Sequence, residues 1–331
     1  MTLEPRRLGG ARSPPIGLGC MNLSHAYGHP PAPADARALL LRALDLGVMH
    51  FDTAALYGFG ANEALLGEVL APHRRRICLA SKCGMTGING RRVIDGRPET
   101  LKRTCDEALR RLQTDFIDLY YLHRWDRQIP IEDSVGALHE LVLAGKIGAV
   151  GLCEVSALTL RRASRVYPIA ALQSEYSLCT RNPEVAVFEA CAELGTAFVA
   201  FSPLGRGFLA GSVPAIDSLA PNDIRRGMPR FQEPNFSRNR ALMARFRELA
   251  GAANCTPAQL ALAWLLRKSP YTHVIPGTTC IAHLEENSGA GDVVIEASLW
   301  VEAERLLKAG TVSGARYPAD TQAEIDTEEI E

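Results

Sequence analysis

The stretches HFDTAALYG (residues 50–58), CLASKCG (78–84) and DLYYLHRWD (118–126) decide the fold. Each carries a short apolar run that reads as a β-strand, and the polar residues Asp52, Lys82 and His123 stand at the strand ends. Tyr57 lies five residues into the loop after Asp52. Chemistry collected at the carboxyl ends of successive strands is the signature of a (β/α)8 barrel, whose function sits on the loops of that face.

Working outward, the flanking sequence supplies the remaining strands. RRLGGARSPPIGLGC reads as a short hairpin turning at Gly9 and Gly10, then a strand ending near Gly19. Helices are expected at 34–46, 62–70, 98–112, 131–144, after Ser156, and at 183–194, bounded by Gly, Pro and polar caps. They alternate with strands at IGAVGLC, IAALQSEYS and TAFVAFS, and YTHVIPG is the eighth. Roughly 70 residues separate Ser202 from that last strand. They divide into a Gly/Pro/Asn-rich loop, 205–237, of a length that reads as a lid, a binding loop or a disordered segment, and helices at 238–252 and 256–267. Helices at 281–288 and 297–307 follow, and the acidic tail, about 318–331, is expected to fray. The expected fold is therefore α/β, a single (β/α)8 TIM barrel over 1–331 with an N-terminal hairpin and extra helices. A doubly wound sheet fits less well, because the first strand-to-helix turn, GLGCMNLSHAYG, lacks GxGxxG.

Composition sets limits. The 331-residue chain has a net charge of −1 and is 47% hydrophobic, so a basic nucleic-acid footprint or a membrane partner is not expected. No apolar run approaches the ~18 residues of a membrane span, and MTLEPRRLGG lacks a signal-peptide core. Nine cysteines without a CxxC pair read as reduced thiols of a cytoplasmic protein, and no clustered Cys and His point to a metal.

Singly, an Asp at a strand end reads as a cap, and a lone Tyr or His as satisfied structure. Lys82 is more informative. After the run ICLAS it enters the barrel mouth partly desolvated, where it needs an acid, and Asp52 can supply it. If Tyr57 faces the same ammonium, its pKa is expected to fall from about 10. His123 would orient or share a proton, leaving an acid poised over a carbonyl oxygen.

The stretches FDTAALYGFGANEALLGEVL, SKCG, DLYYLHRWD, LQSEYSL, FSPLGRGFL and IPGTTCIAHLEEN together resemble the aldo-keto reductase family, in order, from about residue 6 to residue 290. The resemblance implies reduction of an aldehyde or ketone to an alcohol, reversible in principle. Hydride would come from a nicotinamide and the proton from Tyr57, with Asp52, Lys82 and His123 completing the quartet. It also leaves open a cofactor-binding regulatory or sensor subunit with little turnover. A lyase using Lys82 as a Schiff-base nucleophile would leave the other matches unexplained.

For the cofactor, expected to be NADP, the resemblance implies contacts from Gly19, Cys20, Met21 and Asp52. Gln173 matches the carboxamide-binding position and Phe201 the stacking ring, where Tyr is usual. Cys153 and Glu154 stand where many members have Ser and Asn. Ser202, Pro203, Leu204, Gly205, Arg206 and Gly207 match the pyrophosphate segment, and Gly277, Thr278, Thr279, Glu286 and Asn287 the far end. Cys280 and His283 replace the usual basic residues for the 2′-phosphate, so NAD is also possible. The substrate pocket is expected from Met21, Tyr27, Phe59 and Trp125 with the 205–237 loop, although Trp125 reads equally as packing. Arg225 and Arg226 read either as an attraction for anionic substrate or as a solvated surface. The residues leave oligomeric state and the identity of the substrate open.

Overall fold

The computed structural model describes residues 3–24, 26–88, 91–211, 213 and 215–330. Residues 212 and 214 of the expected loop and residue 331 of the tail lie outside them. The chain opens with an antiparallel hairpin, β1 (Arg6–Leu8) and β2 (Ala11–Ser13), turning at Gly9, whose φ of +60° suits glycine. Leu8 is buried among inward-facing barrel residues such as Leu119 and Ala149, so the hairpin closes the floor. Arg6 fastens it, donating to the carbonyls of Ser269 (3.0 Å) and Leu266 (2.7 Å).

The barrel begins with β3 (Leu18–Gly19), α1 (Pro33–Asp45), β4 (His50–Asp52), α2 (Ala61–Leu70) and β5 (Cys78–Cys83). A hairpin of β6 (Met85–Ile88) and β7 (Arg91–Ile94) then stands at the mouth, an addition for which the sequence reading made no provision. The alternation resumes with α3 (Pro98–Leu112), β8 (Leu119–Leu122), α4 (Ile131–Leu143), β9 (Val150–Cys153), α5 (Ala157–Ser164), β10 (Ile169–Glu175), α6 (Val187–Leu194) and β11 (Ala197–Phe201). After the long loop come α7 (Asn235–Ala252), α8 (Pro257–Lys268), β12 (Thr272–Val274), α9 (Ile281–Ser288), α10 (Ala297–Leu306) and α11 (Ala319–Gln322). Pro at the first position opens α1, α3 and α8, where a missing N–H costs nothing. A reciprocal Thr256–Gln259 capping box also holds α8.

Eight parallel strands form one sheet in the order β12-β11-β10-β9-β8-β5-β4-β3. Its two edges meet, because Gly17 N–H donates to Val274 O (2.9 Å) and Val274 N–H to Pro15 O (2.8 Å). The register places Asp52 opposite Ala80 and Lys82 opposite Tyr121. With side chains alternating at period two, Asp52, Lys82, Tyr121, Cys153 and Gln173 belong to the inner face. The alternate residues, among them Phe51, Leu79, Tyr120 and Phe198, pack into the layer under the helices.

Two expectations about the end of the chain change. The 205–237 loop is broken by short 3-10 turns at Gly205–Gly207, Ile216–Ser218, Ile224–Gly227 and Pro229–Phe231. The tail expected to fray is docked instead. Asp326 accepts from Ser156 N–H (3.1 Å), Ser156 Oγ (2.9 Å) and Thr159 Oγ1 (2.6 Å), and Glu328 from Ala157 N–H (2.7 Å). Ser156 Oγ caps the Thr159 N–H at the start of α5, and the Ser156 and Ala157 N–H groups, at the positive end of the helix dipole, have no intrahelical partner, so carboxylates are bound there rather than solvated. Among the described residues no single helix is long and apolar enough to cross a membrane, and α7 and α8 pass that test only together, across an 81° bend.

Candidate active site

Asp52, Tyr57, Lys82 and His123 converge at the mouth. Lys82 is fully buried, and its ammonium pairs with Asp52 Oδ1 while donating to Thr53 O (2.8 Å) and Tyr57 Oη (3.3 Å). Gln173 Nε2 donates to the other Asp52 oxygen at 2.7 Å. Tyr57 and His123 meet edge to face, ring centroids 5.8 Å apart.

The loop that brings Tyr57 there is bent sharply. Gly58, Phe59 and Gly60 all have positive φ (57°, 53° and 95°), and a Cβ on Gly60 would sit 2.8 Å from Arg111 Cδ. Buried polar side chains hold the turn from behind. Asn62 accepts from Thr53 Oγ1 (2.6 Å) and donates to Cys20 O (2.9 Å), fixing the residue whose carbonyl receives Lys82. Glu63 accepts from Ser81 Oγ (2.5 Å) and Arg111 Nε (2.7 Å).

The electrostatics differ from expectation at one group. Burial pushes the Tyr57 phenol up to about 12, with Lys82 opposing it, so the expected fall is replaced by a rise. Desolvation of the phenolate outweighs one ammonium. Burial alone would lower Lys82, but Asp52, Tyr57 and Cys153 override it and raise its pKa above the ordinary value. The resting site therefore holds a lysinium and a neutral phenol.

A cleft of about 750 Å³ runs across the mouth from this quartet. Of the residues singled out from sequence, Gly19, Met21, Tyr27, Asp52, Tyr57, His123, Cys153, Gln173, Phe201, Ser202, Pro203, Leu204, Arg206, Gly207, Gly277, Thr278, Thr279, His283, Glu286 and Asn287 line it. Five others do not. Cys20 is buried, its thiol toward Leu18 O, and Gly205 lies against Cys179, Phe208 and Leu209. Glu154 follows β9 with φ of 53°, and its carboxylate accepts from Glu175 N–H (2.7 Å) and pairs with Arg316. Phe59 is half exposed, its ring close against Gly87 of the β6–β7 hairpin. Trp125 takes its packing role: its indole donates to Ile129 O (2.9 Å), and Arg127 and Arg162 lie over the ring.

Other lining residues were not singled out for the site. Met85 and Arg92 come from the β6–β7 hairpin, and Tyr317, Pro318 and Thr321 from the docked tail. Arg124 follows His123 directly, inside a motif already quoted. Arg225 lines the cleft but is held by Asp223 at 2.7 Å, and Arg226 donates to Ile216 O and Leu219 O, so both brace the loop. Arg206 pairs with Glu175 (2.9 Å) and donates to Tyr317 Oη (2.9 Å). Burial would raise Glu175, but Arg206, Arg316 and Arg230 hold its carboxyl down at about 2.

The Aldo/keto reductase family model matches residues 15–308. A protein of Schizosaccharomyces pombe named as an NADP(+) aldo-keto reductase is 40% identical, the match covering 98% of this chain and 97% of that one. A probable aldo-keto reductase of Glycine max is also 40% identical, over 95% and 92%. Among solved structures, a glycerol dehydrogenase of Gluconobacter oxydans superimposes with a TM-score of 0.85 at 25% identity, covering 95% of this chain and 98% of that one. An aldo/keto reductase of Klebsiella pneumoniae, solved with NADP and acetate, superimposes with a TM-score of 0.72 at 27% identity over the same shares.

Proposed function

Since the chain belongs to the aldo/keto reductase family, we propose that it reduces aldehydes or ketones to alcohols with NADPH, using Tyr57 as the proton donor. The observation that carries this reading is the buried Asp52–Lys82 pair with Tyr57 Oη 3.3 Å from the ammonium, at the head of a long cleft.

The cleft fits a nicotinamide dinucleotide. Its volume is in the range of ligand sites, Phe201 offers a ring face and Ser202, Thr278 and Thr279 offer hydroxyls. The first N–H groups of α9 have no side-chain cap, as an anion site at a helix start requires. Gln173, Phe201, Ser202–Gly207, Gly277–Thr279, His283, Glu286 and Asn287 would hold it, Gly205 through its backbone position between two lining residues. When bound, the nicotinamide supplies hydride to the carbonyl carbon.

This chain's residues manage the proton. Tyr57 keeps its proton through the neutral range and hands it to the carbonyl oxygen as negative charge grows there. Lys82 stabilises the phenolate left behind, Asp52 keeps Lys82 charged and placed, and His123 orients the carbonyl against Tyr57.

The raised Tyr57 pKa gives the pH dependence a sign. A group with a pKa near 12 stays protonated below it, so reduction stays level between about pH 6 and 9. Alcohol oxidation, which needs the phenolate, climbs about tenfold per pH unit over the same range. Single-turnover rates in both directions check this, and a reduction rate that drops with a midpoint near neutrality would contradict it.

Cofactor choice turns on α9. His283 lines the cleft and Cys280, its N-cap, is exposed, so neither supplies a permanent charge. Parallel fluorescence titrations with NADPH and NADH, followed by an aldehyde panel, test the reading; tight binding without turnover would favour the sensor alternative. His283→Arg should tighten NADPH relative to NADH by about tenfold, the worth of one charge-assisted hydrogen bond. An unchanged ratio would show that residue 283 does not face the phosphate.

A further inference from the structure

Arg124 is the cation of the cleft that lacks an acid. It follows β8 beside His123, lines the cleft and is only 8% exposed. One Nη donates to His123 O at 2.8 Å, and Nε has no hydrogen-bond partner. The other arginines of the cleft are matched: Arg92 with Glu324, Arg206 with Glu175 and Arg225 with Asp223. Lys82 beneath has Asp52. Among the described residues no Asp or Glu lies within ion-pair distance of Arg124.

A guanidinium is always charged, offers five donors and is costly to bury unpaired. One carbonyl satisfies a single donor and none of the charge. The open side of Arg124 is the cleft, so its counter-ion would come from what the cleft binds. The candidate cofactor phosphates belong to the segments after β11 and β12, whereas Arg124 follows β8, with β9 and β10 between. That leaves the reacting partner on the quartet's side of the mouth.

We propose that Arg124 selects substrates whose aldehyde or ketone also carries a carboxylate, binding that anion while the carbonyl lies against Tyr57. This deepens the reductase reading and rests on it.

Two matched pairs of different span test the assignment: 4-carboxybenzaldehyde against its methyl ester, and succinic semialdehyde against butanal. In the wild type kcat/KM should favour the acid by at least about tenfold in one pair or both, the range of a charge-assisted bidentate contact. Arg124→Gln should bring that ratio near unity through the KM of the acid, and Arg124→Lys should retain part of it. No preference in the wild type, or a preference that survives Arg124→Gln, overturns the proposal. Calorimetric titration of the NADP-loaded wild type with benzoate and benzamide gives a readout free of turnover and of any folding defect in the variants. Benzoate should bind more tightly, and less so as salt rises; equal affinities overturn the assignment. If neither aldehyde pair is reduced while benzoate is still preferred, the reductase reading fails and the anion site stands.

Discussion

Tyr57→Phe lowers carbonyl reduction by about 10³-fold, the middle of the range for a positioned acid, and leaves NADPH affinity nearly unchanged. The substitution removes one oxygen and keeps the ring. The edge-on contact with His123 at 5.8 Å and the packing against Leu56 and Met85 therefore survive, so the turn at 57–60 retains its support. What disappears is the hydroxyl 3.3 Å from the Lys82 ammonium, the proton source facing the cleft in this reading. Stopped-flow reduction and fluorescence titration on one preparation separate the effects. Loss of binding together with turnover would make Tyr57 a structural residue.

Lys82→Met should be as severe for turnover and should also destabilise the protein. Removing the ammonium strands the Asp52 carboxylate, 2% exposed, with the Gln173 amide still donating to it. Breaking one side of a buried ion pair typically costs about 3–5 kcal/mol. The double variant Lys82→Met/Asp52→Asn removes the stranded charge, so it should recover much of the lost Tm without recovering activity. Denaturation curves and kcat for both variants check this. A Lys82→Met enzyme that retains most of its activity would show that the ammonium does not serve Tyr57.

Most of the barrel is legible in the chain because its signals are local. Apolar runs alternate with capped helices, and a polar residue at the end of an inward-facing run can point only to the mouth. Asp52, Lys82 and His123 were found on that reasoning. It fails where one backbone angle redirects a side chain: Glu154 follows Cys153 directly, yet Cys153 lines the cleft and Glu154 is bonded behind it. Phe59 and Trp125 show the same limit, since aromatic character does not say which way a turn faces. The tail was misread for another reason. Its acidity reads as solvation until the start of α5, far away in sequence, is placed beneath it with N–H and hydroxyl donors that the carboxylates accept from. For Tyr57, the sequence indicates a neighbouring ammonium but not the desolvation that outweighs it.

The seam between β3 and β12 carries a consequence for biosynthesis. Every other neighbouring pair in the barrel joins consecutive barrel strands, so those contacts can form in order as the chain leaves the ribosome. The bonds from Gly17 to Val274 and from Val274 to Pro15 cannot form until nearly the whole barrel has emerged. Until then the nascent chain is an open parallel sheet with two unpaired edges, the form most exposed to wrong partners. Closure is the longest-range pairing of the sheet, the kind of contact that costs most loop entropy to form. A chain halted before residue 274 is left as a curled sheet searching for its missing edge.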